Sequence, residues 1–376
     1  MRAFENVRAY VGGKIVTTNI VFDDKIRDMG RGKAAESIPL PKEALVLPGF
    51  IDEHVHGAGG ADTMDAAALS TMAETLAKEG TTTFLATTMT QSKENILRAL
   101  GAVKKYRAEA HAAGARLAGV HLEGPFIAEA HKGAQPKEYI VAPNRETFEE
   151  YQRASGNSIK IVTLAPEQEG AAEFIKYLTK HGVLSSIGHT SAKYADIERA
   201  VLNGASHVTH TFNAQSPLHH REIGTVGSAL LLDALTCELI ADGIHVSVPA
   251  MQLLFKCKGE KVILITDAIR AKGLSDGESE LGGQKVYVKG GEARLADGTL
   301  AGSVLKMNCA LKNVVTKVGI PLEQAVRCAT ENPARALGIF DETGSIEVGK
   351  RADFAVLDGD YNVIMTVRDG ETVYRA

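Results

Sequence analysis

The chain has 376 residues, 44% of them hydrophobic and 23% charged, with a formal net charge of −4. That leaves room for one large domain and a small one, and excludes the basic footprint of a nucleic-acid binder. No apolar run reaches bilayer length, and no basic segment with an apolar run and cleavage site opens the chain. The four cysteines (Cys237, Cys257, Cys309, Cys328) are scattered without a CxxC pair. They fit a reducing cytoplasm better than a disulfide framework or a zinc ribbon.

Residues 1–47 carry short apolar alternations at 7–10, 14–16 and 20–22, separated by Gly12-Gly13, Asp23-Asp24 and Gly30-Gly32. They predict a small antiparallel β unit. The C-terminus has the same character at 352–357, 362–367 and 372–374. The two ends are therefore expected to pair into one small β-sandwich domain, residues 1–47 plus 345–376, beside a catalytic barrel over 48–344. The middle alternates. Strands are predicted at 47–52, 82–87, 117–122, 160–164, 184–187, 207–211, 238–241 and 262–266. Helical stripes lie between most of them, such as Leu69, Met72, Ala73 and Leu76, which Gly80 ends. Eight strands alternating with helices predict an α/β fold of the (β/α)8, TIM-like barrel type, which needs about 250 residues. A doubly wound open sheet is the alternative, but no GxGxxG follows a strand. Two insertions interrupt the pattern. Residues 126–143, polar with two prolines, are a candidate lid. Residues 272–302 are glycine-rich and predict a hairpin, 285–288 with 293–296.

Polar residues collect at the predicted strand ends, where a barrel places its active site. The first strand runs into His54 and His56; residues two apart on a strand face one side, so both imidazoles reach one metal ion. The third strand ends in His121 and Glu123, the fifth in His189, the sixth in His207 and His210, the eighth in Asp267. This set is enough for one or two divalent ions. Read singly, His207 is a packed histidine, His121 lies lower in the barrel as a supporting group, and His111 and His181 have no assigned function. Asp52 shares a face with His54 and His56 and is placed to orient one of them.

The motifs PGFIDEHVHG, HLEGPF, SIGHT, HVTHTFNA, IADGIHV, LITDA, LAGS and GKRADFAVLD, in that order over residues 46–358, resemble the N-acetylglucosamine-6-phosphate deacetylases of the amidohydrolase superfamily. The resemblance implies hydrolysis of the acetamide of N-acetylglucosamine 6-phosphate to glucosamine 6-phosphate and acetate. It implies Glu123, His189 and His210 as principal metal ligands. With His54 and His56 present it implies a binuclear site, Glu123 bridging, filled by Zn, Fe, Mn or Co. Asp267 takes the proton of the attacking water and returns it to the leaving amine. The resemblance assigns Arg221 and His245 to ligand binding, partly across a subunit interface, and so implies a homodimer. Asn213 and Ala214 offer backbone N–H groups to a phosphate oxygen. Two positions depart from the pattern. Gln135 stands where many relatives have histidine and remains able to meet a sugar hydroxyl; Gln215 ends FNAQ in place of FNAM. His131 and Lys132 are further substrate candidates. The alternatives are the N-acetylgalactosamine 6-phosphate epimer, another amidohydrolase acting on a cyclic amide, and a metal-free barrel retained for binding.

Overall fold

The computed structural model describes every residue except Arg31, Lys33, Ala66, Ala67 and Ala110. Eight parallel strands form one sheet in sequence order: Phe50–Val55, Thr81–Thr88, Arg116–Glu123, Ile159–Leu164, Leu184–Ile187, His207–Val208, Thr236–Ile240 and Val262–Ile265. They are barrel strands 1 to 8 below. The barrel closes between strands 8 and 1 just past the regular ladder. Asp267 N–H meets His54 O at 2.8 Å, and His56 N–H meets Ala268 O at 2.9 Å. The closing seam therefore runs through the candidate site residues His54, His56 and Asp267.

Two boundaries differ from the expected ones. The first apolar run is two strands. Leu45–Pro48 belongs to the sheet of the chain ends and Phe50–Val55 to the barrel. The break is Gly49, where a Cβ would stand 2.1 Å from Thr82 Oγ1. Barrel strand 6 stops at Val208, since His210 turns at φ +31° and sends the chain inward.

Both chain ends meet in one eight-stranded sheet. Its path runs Glu371–Arg375, Val363–Arg368, Phe354–Leu357, Leu45–Pro48, Arg2–Val11, Lys14–Phe22 and Ile26–Met29, with Glu36–Ser37 on Arg2–Val11. The sheet has its own core around Phe4, Phe22 and Phe354, whose rings sit 5.0–5.6 Å apart. Strand alternation then joins the two cores. Val46, Phe354 and Val356 face the end sheet's core, while Leu45, Leu47, Ala355 and Leu357 face the core around the barrel.

The glycine-rich insertion is a four-stranded antiparallel sheet, Gly277–Leu281, Gln284–Lys289, Glu292–Arg294 and Leu300–Ser303. Its last strand returns to the barrel mouth, where Ser303 N–H donates to Asp267 O at 2.8 Å. The candidate lid contains two 3-10 turns, Glu129–His131 and Lys137–Tyr139. It is tied down by Ala128 N–H to His189 O and Val141 N–H to Pro125 O. Among the described residues no helix is long and apolar enough to cross a membrane.

Candidate metal centre

Barrel strand 3 delivers Glu123 to the mouth, and the imidazoles gather around it. His189 Nε2 and His210 Nε2 each lie 3.1 Å from Glu123 Oε1 and 3.1 Å from each other. His56 Nε2 lies 3.1 Å from Glu123 Oε2 and 3.2 Å from Asp267 Oδ1. His54 Nε2 lies 3.4 Å from Asp267 Oδ1 and 3.5 Å from Glu123 Oε1. All five expected ligands and Asp267 thus converge. They do so through unusual backbone. His189 (φ +48°), His210 (φ +31°) and Asp267 (φ +46°) all occupy the left-handed region. Each such non-glycine residue costs on the order of 1–3 kcal/mol, and the cost turns the side chain across the mouth.

The donor set fits a divalent ion. Tetrahedral ligands about 2.0–2.1 Å from an ion are about 3.3 Å apart, close to the spacing here. The ring orientations agree. His189 Nδ1 is 2.8 Å from the carbonyl of His131 and His54 Nδ1 is 2.9 Å from Glu238 Oε2, so both present an Nε2 lone pair to the cluster. His54 Nε2 is fully buried and has no hydrogen-bond partner among the described residues. Two groups, Glu123–His189–His210 and His54–His56–Asp267, have the spacing of ion sites. A third, His54–His121–Glu238, does not serve as one. Both nitrogens of His121 are already paired, to Glu53 O (3.1 Å) and Thr163 Oγ1 (2.7 Å). Burial, with the nearby His54, holds His121 down at about 3, so it stays neutral.

Charge at the centre follows from the packing. Burial alone would raise Glu123, but the imidazoles of His54, His189, His210 and His56 outweigh it and hold the carboxylate well below its ordinary range. Burial likewise opposes ionisation of Asp267, and His54 and His56 bring it down to about 2. Burial would lower His54, but Asp267, Glu238 and Glu123 raise it to about 9. The field that raises a proton's affinity for these nitrogens also favours a divalent cation.

A cavity of about 330 Å³ opens above the cluster, lined by His131, Gly133, Gln135, Asn213, Ala214 and His245 among others. The predicted substrate contacts divide here. His245 lines the cavity with Nδ1 held by Asp242 Oδ2 at 2.6 Å, which leaves Nε2 free to meet a ligand. Asp242 itself escaped the sequence reading, although it stands three residues before His245. Asn213 lines the cavity, yet its N–H is spent inside the turn on His210 O at 3.0 Å. Ala214 N–H has no acceptor among the described residues. Gln135 lines the cavity with both ends of its amide engaged. Its Oε1 accepts from Thr90 N–H at 2.7 Å and its Nε2 donates to Glu123 Oε2 at 2.9 Å, so it holds the carboxylate. Gln215 likewise secures the turn, through Phe212 N–H and Thr209 O. Arg221 is exposed, bonded to His220, and does not line its own chain's cavity.

Asp52 does not orient either imidazole. Its carboxylate accepts from Thr266 Oγ1 at 2.6 Å and from the backbone N–H groups of His54 and Thr266. The residue that orients His54 is Glu238, on barrel strand 7. His207 is packed, as expected, 3.5 Å from Glu53 and outside the ion clusters.

A parallel eight-stranded barrel with imidazoles and carboxylates joined at its strand ends defines a hydrolase of the amidohydrolase class. The sequence profile of the amidohydrolase family matches residues 45–373, and the chain belongs to that family. It is 47% identical to the N-acetylglucosamine-6-phosphate deacetylase of Bacillus subtilis (strain 168), over 90% of this chain and 87% of that protein. The crystal structure of the N-acetylglucosamine-6-phosphate deacetylase from Pasteurella multocida superposes with a TM-score of 0.94 at 32% identity, covering 100% of both chains. The N-acetylgalactosamine-6-phosphate deacetylase of Escherichia coli O157:H7 is 36% identical over 93% of this chain and 95% of its own length.

Proposed function

We propose that the chain hydrolyses the acetamide of N-acetylglucosamine 6-phosphate, releasing glucosamine 6-phosphate and acetate. The observation that carries this reading is Asp267. It is an ionised carboxylate at the floor of a sugar-sized cavity, 3.2 Å from His56 and beside the Glu123–His189–His210 group. The relatives' names supply the substrate class. Glu123, His189 and His210 would hold one divalent ion, and His54 and His56 a second, with Glu123 shared. Zn, Fe, Mn and Co all suit the donors. Bound there, such an ion supplies Lewis acidity toward the acetyl carbonyl and acidifies a water toward neutral pH.

The rest falls to the chain's own residues. Asp267 accepts the proton of the attacking water as its oxygen adds to the carbonyl carbon. Asp267 returns that proton to the nitrogen as the C–N bond breaks, because an amine leaves only when protonated. His245, fixed by Asp242, meets the substrate's oxygen atoms from the cavity wall. The phosphate is met by the free N–H of Ala214 and by Arg221. Arg221 reaches it from the second copy of a homodimer, since it does not line the cavity of its own chain. The protein works in the cytoplasm, where phosphorylated sugars are retained.

The test is amine release from N-acetylglucosamine 6-phosphate and from the unphosphorylated sugar, on protein stripped of metal and reloaded with Zn, Fe, Mn or Co. Metal-dependent release favouring the phosphorylated sugar is the expected result; equal release from both removes the phosphate site, and none with any metal removes the reading. The relative from Escherichia coli favours one second reading, the galactosamine epimer. The same assay on N-acetylgalactosamine 6-phosphate decides between them.

A further inference from the structure

Glu238 lies inside barrel strand 7, fully buried, beneath the ion clusters. One of its oxygens carries two bonds to two different parts of the centre. Oε2 accepts from the ring Nδ1–H of His54 at 2.9 Å and from the backbone N–H of His210 at 3.0 Å. His54 belongs to the His54–His56–Asp267 group and His210 to the Glu123–His189–His210 group. A single carboxylate oxygen thus ties the ring of one group to the main chain of the other. The His210 bond also holds the left-handed turn at φ +31° that aims its ring inward. Other polar groups around Glu238 do not compete for Oε2. His121 is spent on Glu53 O and Thr163, and Glu53 faces His207. The remaining oxygen, Oε1, is buried without a partner among the described residues.

We infer that Glu238 is the positioning residue that makes His54 a ligand of the second ion and couples the two ion positions to each other. The inference rests on the two-ion reading above. A carboxylate behind a ligating imidazole fixes its tautomer and raises its basicity, and losing such a partner typically weakens metal binding by about 10–100-fold. Among the described residues neither carboxylate oxygen bonds an ion-facing atom, so its effect passes through His54 and the turn at His210.

The experiment is calorimetric titration of the metal-stripped protein with Zn, with ion content after dialysis and Co absorption as independent readouts. It compares wild type, Glu238→Gln, Glu238→Leu, His54→Ala and the double variant His54→Ala/Glu238→Gln. Gln keeps an acceptor for both N–H groups and removes the charge. Glu238→Gln is expected to bind the first ion within about threefold of wild type and the second at least about tenfold more weakly. Glu238→Leu is expected to lose the second Co absorption increment altogether. In the His54→Ala background Glu238→Gln is expected to change nothing further; an equal weakening in both backgrounds would mark a merely structural role and overturn the inference. If wild type and Glu238→Gln both bind two ions with equal affinity, the inference fails and the two-ion reading stands. If wild type binds one ion, both fall. Glu238→Gln carries the test should Glu238→Leu not fold.

Discussion

At Asp267, burial and charge pull in opposite directions, and the direction that wins sets the chemistry. A carboxyl this enclosed would ordinarily keep its proton. His54 and His56 instead bring it to about 2, so it is ionised at neutral pH. Its position is held from three sides: Asp267 N–H on His54 O, Ser303 N–H on Asp267 O, and a left-handed φ of +46°. Asp267→Asn keeps the shape, the backbone bonds and the Glu123–His189–His210 group, but removes the carboxylate proposed to accept the proton. Turnover is expected to fall by about a thousandfold, within the usual range for losing a general base, with ion content at that group unchanged. Steady-state rates and metal analysis of the same preparation check this, and a variant keeping a tenth of wild-type activity would remove Asp267 from the role. Glu123 has a different kind of support. Gln135 spends both ends of its amide between Thr90 and Glu123. From the sequence alone an amide at this position suggests a sugar contact, and only the fold shows where it is used.

The strands explain why so much of the centre was legible. Each candidate ligand sits at or near the end of an apolar run, so the predicted strand ends put His54, His56, Glu123, His189, His210 and Asp267 at one end of the barrel, and the family resemblance chose among them. Glu238 was not legible for the converse reason. It lies within a strand, and its partner His54 is distant in the chain, so no local pattern links them. The same holds for Glu79 and Lys272, a fully buried pair with Nζ 2.6 Å from Oε1. Glu79 follows the helix Leu69–Ala77, and Lys272 opens the insertion after strand 8. Asp52 lies close by, so one lysine faces two buried carboxyls. Burial raises Asp52 as well, against the pull of Lys272 and of its three hydrogen-bond donors. Burial pushes Glu79 up to about 7 against the pull of Lys272, from an ordinary value of 4.5. A carboxyl whose folded value exceeds its unfolded one binds more protons in the folded state between those values, so stability falls as pH rises through that window. Unfolding free energy by urea titration is expected to drop by about 1–3 kcal/mol more for wild type than for Glu79→Gln between pH 4.5 and 7.5. Equal slopes for the two proteins would show that Glu79 is ionised throughout. The loop after strand 1 gives a steric prediction at the same scale. A Cβ on Gly57 would stand 2.5 Å from Ala61 O and 2.5 Å from Arg270 N, both main-chain atoms that cannot yield cheaply. Gly57→Ala is expected to cost about 2 kcal/mol or more in thermal or urea unfolding. It should also loosen the seam at Ala268, on which Gly57 N–H is bonded.

For the whole molecule, one expected participant lies in the wrong place for a single chain to use. The cavity gathers His131, Asn213, Ala214 and His245, yet Arg221 projects from the surface loop at 219–222, bonded to its neighbour His220. No lysine or arginine lines the cavity in its place, and a phosphate dianion calls for one. A symmetric dimer resolves the mismatch if each subunit lends Arg221 to the other's cavity. This arrangement has a consequence that no single-chain site shares. Asp267→Asn removes the base from a site and leaves that subunit's Arg221 intact; Arg221→Ala does the reverse. Each variant alone is inactive or binds the phosphorylated sugar weakly. When the two are unfolded together and refolded, or co-expressed, about half the dimers are mixed. In a mixed dimer the site built on the Arg221→Ala subunit has its own Asp267 and the Arg221 of its Asp267→Asn neighbour. One of its two sites is therefore whole, and at limiting substrate the mixture should recover about a quarter of wild-type activity. If Arg221 served its own chain, every site in the mixture would lack one residue or the other and no recovery would follow. Recovery that falls on dilution below the dimer's dissociation constant, and returns on concentration, would tie it to the pairing of subunits.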